Sequence, residues 1–160
     1  MKYAFSLFTL TALIVFEAHA STVIQWSDWE YDNAVARKGT WLVIKQPEAR
    51  FCYVKQSYNG QLKMEMLMKI DNVPGLTVPF FRGLDGDVTY KVDNGPVRVI
   101  PQEDAINPLR LSSEVVPELK TGKKLTVRVK PVGKRTIEQE FSLVGFAEAA
   151  ALLDNPVCQR

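Results

Sequence analysis

The stretch that decides the fold reads Leu62-Lys63-Met64-Glu65-Met66-Leu67-Met68-Lys69-Ile70. Apolar side chains occupy every second position, from leucine through three methionines to isoleucine, and most positions between them are charged. A period of two is typical of a β-strand that has one buried and one solvated face. We therefore predict a strand over Leu62–Ile70 with its apolar row in the core.

The same alternation recurs in short runs along the chain: Val23–Tyr31, Thr40–Lys45, Phe51–Ser57, Val88–Val92, Pro96–Ile100, Leu125–Val129 and Thr136–Leu143. Asp93-Asn94-Gly95 separates two of these runs and predicts a hairpin, because Asn and Gly tolerate the positive φ of two-residue turns. Pro131–Arg135 separates the last two runs and predicts a second hairpin. Pro74-Gly75 and Pro101–Pro108 are predicted to be loops within one domain.

Helical patterns are few. Ser113–Lys120 predicts a short helix that ends at Gly122, with Pro117 confined to its first turn. Gly145–Leu153 carries apolar residues at i, i+3, i+4 and i+7, which predicts one buried stripe formed by Phe146, Ala149, Ala150 and Leu153. About seven to ten short strands with one late helix indicate an all-β fold, a single antiparallel β-sandwich or flattened barrel with a short C-terminal helix.

The first segment, Met1–Ala20, has the layout of a secretory signal peptide: a positive start, an apolar run and a small-x-small site at Ala18-His19-Ala20. Cleavage is expected before Ser21, which leaves residues 21–160 as a single domain of about 140 residues, enough for one core. No later segment approaches the roughly 20 apolar residues of a transmembrane helix. The prediction is an exported protein, periplasmic or secreted, with no transmembrane segment after cleavage.

Charge and histidine content argue against several classes of function. The chain has a net charge of +2, and removal of Lys2 and Glu17 with the signal leaves that value unchanged. So small an excess argues against a nucleic-acid partner, which needs a concentrated basic face. The single histidine, His19, lies in the signal segment, so the mature chain has no imidazole base and no histidine metal ligand. We predict no catalytic residues, no enzymatic activity and no cofactor.

The two cysteines are Cys52 and Cys158. Export places them in an oxidising compartment, where a structural disulfide is favoured over reactive thiols or a metal pair. Their bond would tether the C-terminal tail to an early strand. It would close a loop of about 100 residues, worth on the order of 4 kcal/mol in the chain-entropy model.

Four motifs follow one another along the chain: Ser27-Asp28-Trp29, Cys52-x-x-x-Gln56, Lys120-x-Gly122-Lys123 and Ser142-Leu143-x-Gly145-Phe146-x-x-Ala149. Their order resembles the invasion-associated locus B family of exported proteins from Gram-negative bacteria, over most of Trp26–Leu153. The last motif is the most specific. Family members often carry a further cysteine soon after the early Asp-Trp pair, and this chain has Trp29-Glu30-Tyr31-Asp32 there, so the family's disulfide scheme is not transferred.

The resemblance implies a role in host-cell invasion or at the bacterial envelope, including association with the outer membrane, and it implies no defined biochemical activity.

A basic cluster is the candidate interaction patch for an acidic partner or anionic lipid, with a merely solvated hairpin as the alternative. It consists of Lys120, Lys123, Lys124, Arg128, Lys130, Lys134 and Arg135. Two carboxylate pairs, Asp85 with Asp87 and Glu138 with Glu140, are interpreted as a tight turn and a solvated strand face rather than as catalytic or calcium-binding groups.

Met64, Met66 and Met68 are all the methionines of the mature chain. Thioether sulfur suits Cu(I), but same-face neighbours on a strand lie roughly 6 to 7 Å apart and the apolar row continues on both sides. We interpret the row as core and keep a copper site as the alternative. The tryptophans are likewise interpreted as buried or partly buried, with a carbohydrate platform as the alternative for Trp26, Trp29 and Trp41.

Together these patterns predict a non-enzymatic exported protein that acts through its surface on an unidentified protein or envelope component. The alternatives are a periplasmic Cu(I)-binding protein and an inhibitor of an extracellular hydrolase.

Overall fold

The computed structural model describes residues 23–24, 27–46, 48, 51–59, 65–69, 74–77, 83–106 and 108–159. Eleven strands lie in these ranges: β1 (Val23–Ile24), β2 (Ala34–Lys38), β3 (Trp41–Gln46), β4 (Phe51–Asn59), β5 (Glu65–Lys69), β6 (Pro74–Thr77), β7 (Val88–Val92), β8 (Arg98–Ile100), β9 (Leu109–Arg110), β10 (Lys124–Val129) and β11 (Ile137–Ser142). The helices are α1 (Asp28–Asp32), α2 (Val116–Thr121), α3 (Phe146–Ala151) and α4 (Pro156–Gln159). Short 3₁₀ turns lie at Gln102–Asp104, Ser113–Val115 and Leu152–Asp154.

The strands of the described chain form two antiparallel sheets. The larger sheet has the order β2-β3-β4-β5-β6-β9, and β1 pairs with the far end of β4. The smaller sheet has four strands in the order β11-β10-β7-β8. Two hairpins, β7–β8 and β10–β11, supply this smaller sheet, and they pair with each other through β7 and β10.

Both sheets contribute to one hydrophobic core. In β7 the residues Val88, Tyr90 and Val92 are buried, and the two residues between them are only partly buried. Residues from β3, β4, β10, β11, α2 and α3 join the same core. The structure is therefore an antiparallel β-sandwich with a short C-terminal helix, which confirms the predicted fold class.

The two predicted helical segments are confirmed. Pro117 lies in the first turn of α2, and Gly122 ends that helix. In α3 and the following turn the predicted stripe is buried, namely Phe146, Ala149, Ala150 and Leu153. The stripe closes one end of the sandwich, because α3 packs against β2, β3 and α2.

Part of the predicted strand Val23–Tyr31 is helical. Among the described residues of this run, Val23–Ile24 are extended, and helix α1 begins at Asp28 with Ser27 as its N-cap. The Ser27 side chain accepts from the backbone N–H of Glu30, and the Glu30 carboxylate accepts from the backbone N–H of Ser27. This capping box satisfies the first free N–H groups of the helix and outweighs the weak alternation of the sequence.

Two other predictions needed correction. Pro74 and Gly75 were expected in a loop, but they begin β6, because the first position of a strand tolerates a residue without a ladder N–H. The Asp93–Gly95 hairpin forms, yet positive φ falls on Asp93 (49°) and not on Asn94 or Gly95. The Asp93 carboxylate accepts hydrogen bonds from the backbone N–H groups of Lys123 and Lys124, which holds the turn in this form.

Candidate interaction surface

The first motif anchors α1 to the larger sheet. Glu30 forms a mostly buried ion pair with Lys55 of β4, and it also accepts from the Ser27 backbone. Burial opposes the charged form of Glu30, but the hydrogen bonds from Lys55 and Ser27 outweigh it and hold the pKa of Glu30 below its ordinary value of 4.5. The acidic residue after Ser27-Asp28-Trp29 therefore holds a helix in place.

The second and fourth motifs meet at the Ser142 carbonyl. Gln56 of β4 donates a side-chain N–H to this oxygen at 3.0 Å, and the Trp41 indole N–H donates to it at the same distance. Gln56 also reaches the Thr40 hydroxyl. This junction ties the larger sheet to the end of β11, so Cys52-x-x-x-Gln56 and Ser142-Leu143 act together to join the two sheets.

Gly145 lets two turns approach closely. Its φ is +85°, and a Cβ there would lie 2.3 Å from the Lys38 carbonyl oxygen. Directly below, Trp41 and Phe146 pack edge to face with ring centroids 4.9 Å apart. The glycine and the aromatic pair explain why Gly-Phe begins the terminal helix.

The third motif, Lys120-x-Gly122-Lys123, forms a turn that packs against the β7–β8 hairpin. Gly122 lies against the β7–β8 hairpin, where a Cβ would lie 2.4 Å from a methyl carbon of Val92. The next two backbone N–H groups, those of Lys123 and Lys124, donate to the Asp93 carboxylate. A glycine is needed here because the hairpin and the start of β10 are in contact.

Cys52 and Cys158 form the predicted disulfide, with Cα atoms 5.0 Å apart. Both residues are fully buried, and the bond holds α4 against the start of β4. All four motifs, and the disulfide, thus have a structural task in holding the sheets and helices together.

The outward face of the smaller sheet carries the exposed chemistry. A groove of about 460 Å³ lies on this face, which we call the outer groove. It is lined by Thr89, Tyr90, Lys91, Asp93, Asn94, Val97, Lys124, Thr126, Arg128, Glu138 and Glu140. A volume of this size falls in the range of small-molecule sites.

Ion pairs cross the outer groove between β10 and β11. Arg128 pairs with Glu138 at 2.7 Å, and Lys124 pairs with Glu140 at 2.5 Å. The hydrogen bond to Glu140 raises the pKa of Lys124. Because both pairs are exposed, each contributes little to stability, and their main effect is to pattern the surface with charge.

The seven basic residues of the predicted patch are arranged along one hairpin. Three of them are paired with carboxylates: Lys124, Arg128 and Lys130, the last with Asp85 at 2.7 Å. Lys120 and Lys123 precede β10, whereas Lys134 and Arg135 follow it in the turn, at opposite ends of a strand of about 17 Å. Whether the patch binds a partner stays a prediction.

The two carboxylate pairs have separate partners. Asp87 accepts from the backbone N–H of Gln102, while Asp85 pairs with Lys130. Glu138 and Glu140 each form an ion pair with a basic residue of β10. Within the described ranges no group of three or more histidine, cysteine, aspartate or glutamate residues is arranged to hold a metal ion.

The methionine row is only partly described. Met64 lies outside the described residues, and Met66 and Met68 belong to β5. In the register Met66 lies opposite Gln56 and Leu76, and Met68 lies opposite Val54 and Pro74, all four of which are buried. The core position of the row and its alternative, copper binding, both stay predictions to be tested.

The tryptophans have different environments. Trp41 is fully buried, as expected for the core, and Trp29 in α1 is 46% exposed. Trp26 lies outside the described residues. Among the described residues, no helix is long and apolar enough to cross a membrane.

The fold and its surface define a class: a disulfide-bonded antiparallel sandwich whose smaller sheet presents a charged outer groove. A crystal structure titled invasion associated protein B from Bartonella henselae is similar, with a TM-score of 0.55 and 21% sequence identity over 74% of this chain and 94% of that chain. The resemblance predicted from the motifs is confirmed at the level of the fold. No protein-family model and no curated protein matches the sequence.

Sequence reasoning assigned several residues of the outer groove to no site, among them Lys91 and Thr126. The alternation in Val88–Val92 and Leu125–Val129 already indicated that both residues face outward. What it did not give was the pairing of β7 with β10, which sets Thr126 opposite Lys91.

Proposed function

We propose that this protein is a non-enzymatic exported protein that binds a partner through the outer groove. The observation that carries the proposal is the groove itself, an open sheet face with a floor of threonine side chains and charged residues of both signs. Support also comes from the motifs, since their residues hold the fold and are therefore accounted for without any catalytic task.

The place of action in the proposal is the periplasm or the cell exterior. The signal-like segment 1–20 motivates it. The buried disulfide Cys52–Cys158 is consistent with an oxidising compartment. The similar Bartonella protein is titled invasion associated, and we extend that association here only to a role at the envelope or the host-cell surface.

A site-specific photo-cross-linker tests the proposal. It is placed at Asn94, an exposed residue of the outer groove, and in a matched control at Glu148, an exposed residue of α3 outside the groove. The proposal predicts light-dependent adducts from position 94 in exported protein and none from position 148. Equal adducts at both positions, or none at position 94, would contradict binding through this face.

A further inference from the structure

One cation of the outer groove has no partner. Glu138 and Glu140 are neutralised by Arg128 and Lys124, and the Asp93 carboxylate accepts backbone N–H groups. Lys91 of β7, a partly buried side chain, forms no ion pair among the residues that the structure describes. The groove lining carries three cations and three carboxylates, and within the described chain Lys91 is the one cation in it whose ammonium group has no carboxylate partner, which leaves this position open to an anion.

A hydroxyl with no hydrogen-bond partner lies beside this cation. Thr126 pairs directly with Lys91 across β10 and β7, which places their Cβ atoms about 5 Å apart. Thr126 is only 7% exposed, yet its hydroxyl forms no hydrogen bond within the described part of the chain. Thr126 lines the open groove, so an anionic oxygen held by Lys91 would accept the hydroxyl proton as well.

The neighbouring positions narrow the chemistry of the anion. Val97, 62% exposed, lines the groove one position beyond the last β7–β8 pair, Tyr90 with Arg98, and so lies on the other side of Lys91. Glu140 follows Thr126 in the same row. The row thus reads apolar, cation, hydroxyl, carboxylate. A singly charged group beside an apolar one fits this row better than phosphate, because the described groove lining offers no second unpaired cation for the other charge of phosphate.

We infer that the outer groove binds an extended acidic peptide segment of a partner protein, with a carboxylate on Lys91 and Thr126 and an adjacent apolar side chain on Val97. This inference rests on the proposed function, because it names the chemistry of the partner for the same surface. The recognition is non-covalent.

The test uses a fluorescent acetyl-Ala-Glu-Val-Glu-Ala-amide peptide, measured by anisotropy with the mature protein at low salt. Lys91→Met and Thr126→Val are each expected to weaken binding about tenfold, since each removes one group that holds the carboxylate. Lys38→Met is the matched control, an exposed lysine of β2 outside both the groove and the basic cluster, and should leave affinity unchanged. Glu140→Gln should tighten binding severalfold because it releases Lys124.

Three results would overturn the inference: equal binding of the glutamine analogue of the peptide, equal loss of affinity in Lys38→Met and Lys91→Met, or displacement of the peptide by millimolar inorganic phosphate. If the acidic peptide fails to bind while the cross-link at Asn94 persists, the peptide chemistry is wrong and the proposed function stands. If both fail, the proposed function falls as well. A native disulfide and an unchanged melting temperature show that each variant is folded.

Discussion

Removal of the disulfide has the largest stability effect that the structure predicts. Cys52 and Cys158 are 106 positions apart in the sequence. In the chain-entropy model, a cross-link that closes a loop of this length stabilises the folded state by about 4.7 kcal/mol. Cys52→Ala with Cys158→Ala also removes two buried sulfur atoms, which adds roughly 1 kcal/mol at each site.

Urea unfolding of the mature protein measures this effect. The double variant should lose about 5 to 7 kcal/mol of unfolding free energy, and its melting temperature should fall by about 10 to 20 °C. Wild-type protein with its disulfide reduced keeps both sulfur atoms and should lose only the cross-link contribution. Unfolding of the double variant should remain a single cooperative transition, because the C-terminal tail packs on the common core.

The reasoning is refuted if reduced and oxidised wild-type protein unfold within about 1 kcal/mol of each other. That result would mean that the unfolded chain is already compact around the two cysteines, so that the loop closure removes little entropy.

Three further predictions follow from particular residues. Glu30→Gln should destabilise the protein by about 2 to 4 kcal/mol at pH 7, because glutamine no longer supplies the negative charge that Lys55 pairs with in this mostly buried site. The pKa of Glu30 is lowered in the folded state, so its contribution to stability is present above pH 4.5 and is lost as the pH falls. The melting curves of the wild type and of Glu30→Gln should therefore converge in acid, and a constant difference would contradict this. Met66→Ala should cost roughly 2 to 5 kcal/mol without altering metal content, whereas an unchanged melting point with lost Cu(I) binding would favour the copper site. The intact mass of the exported protein should match a chain that begins at Ser21. Retention of residues 1–20 would make that segment an anchor.

Much of the fold could be predicted because alternation reports burial directly. The runs Thr40–Lys45, Leu125–Val129 and Thr136–Leu143 correspond to β3, β10 and β11. The N-terminal run was partly wrong, since a capping box at Ser27 is a local signal that alternation does not detect. Pro74 was read as a loop because proline weakens a strand pattern, although the first position of β6 tolerates it.

The outer groove could be predicted only in part. Lys124 and Arg128 were already singled out as basic residues of a surface hairpin. Their pairing with β11, and the position of Lys91 beside Thr126, depend on contacts between residues far apart in the sequence. Such pairings are fixed by the packing of the whole core, and no local pattern of one sequence specifies them.

The most direct test of the central claim is an NMR titration of the isotope-labelled mature protein with the acidic peptide. The account predicts chemical-shift changes confined to the amides of β7 and β10 around Lys91 and Thr126, with little change in α1 or α3. Shifts centred on α1 and β2, or no saturable shifts anywhere, would contradict binding through the outer groove.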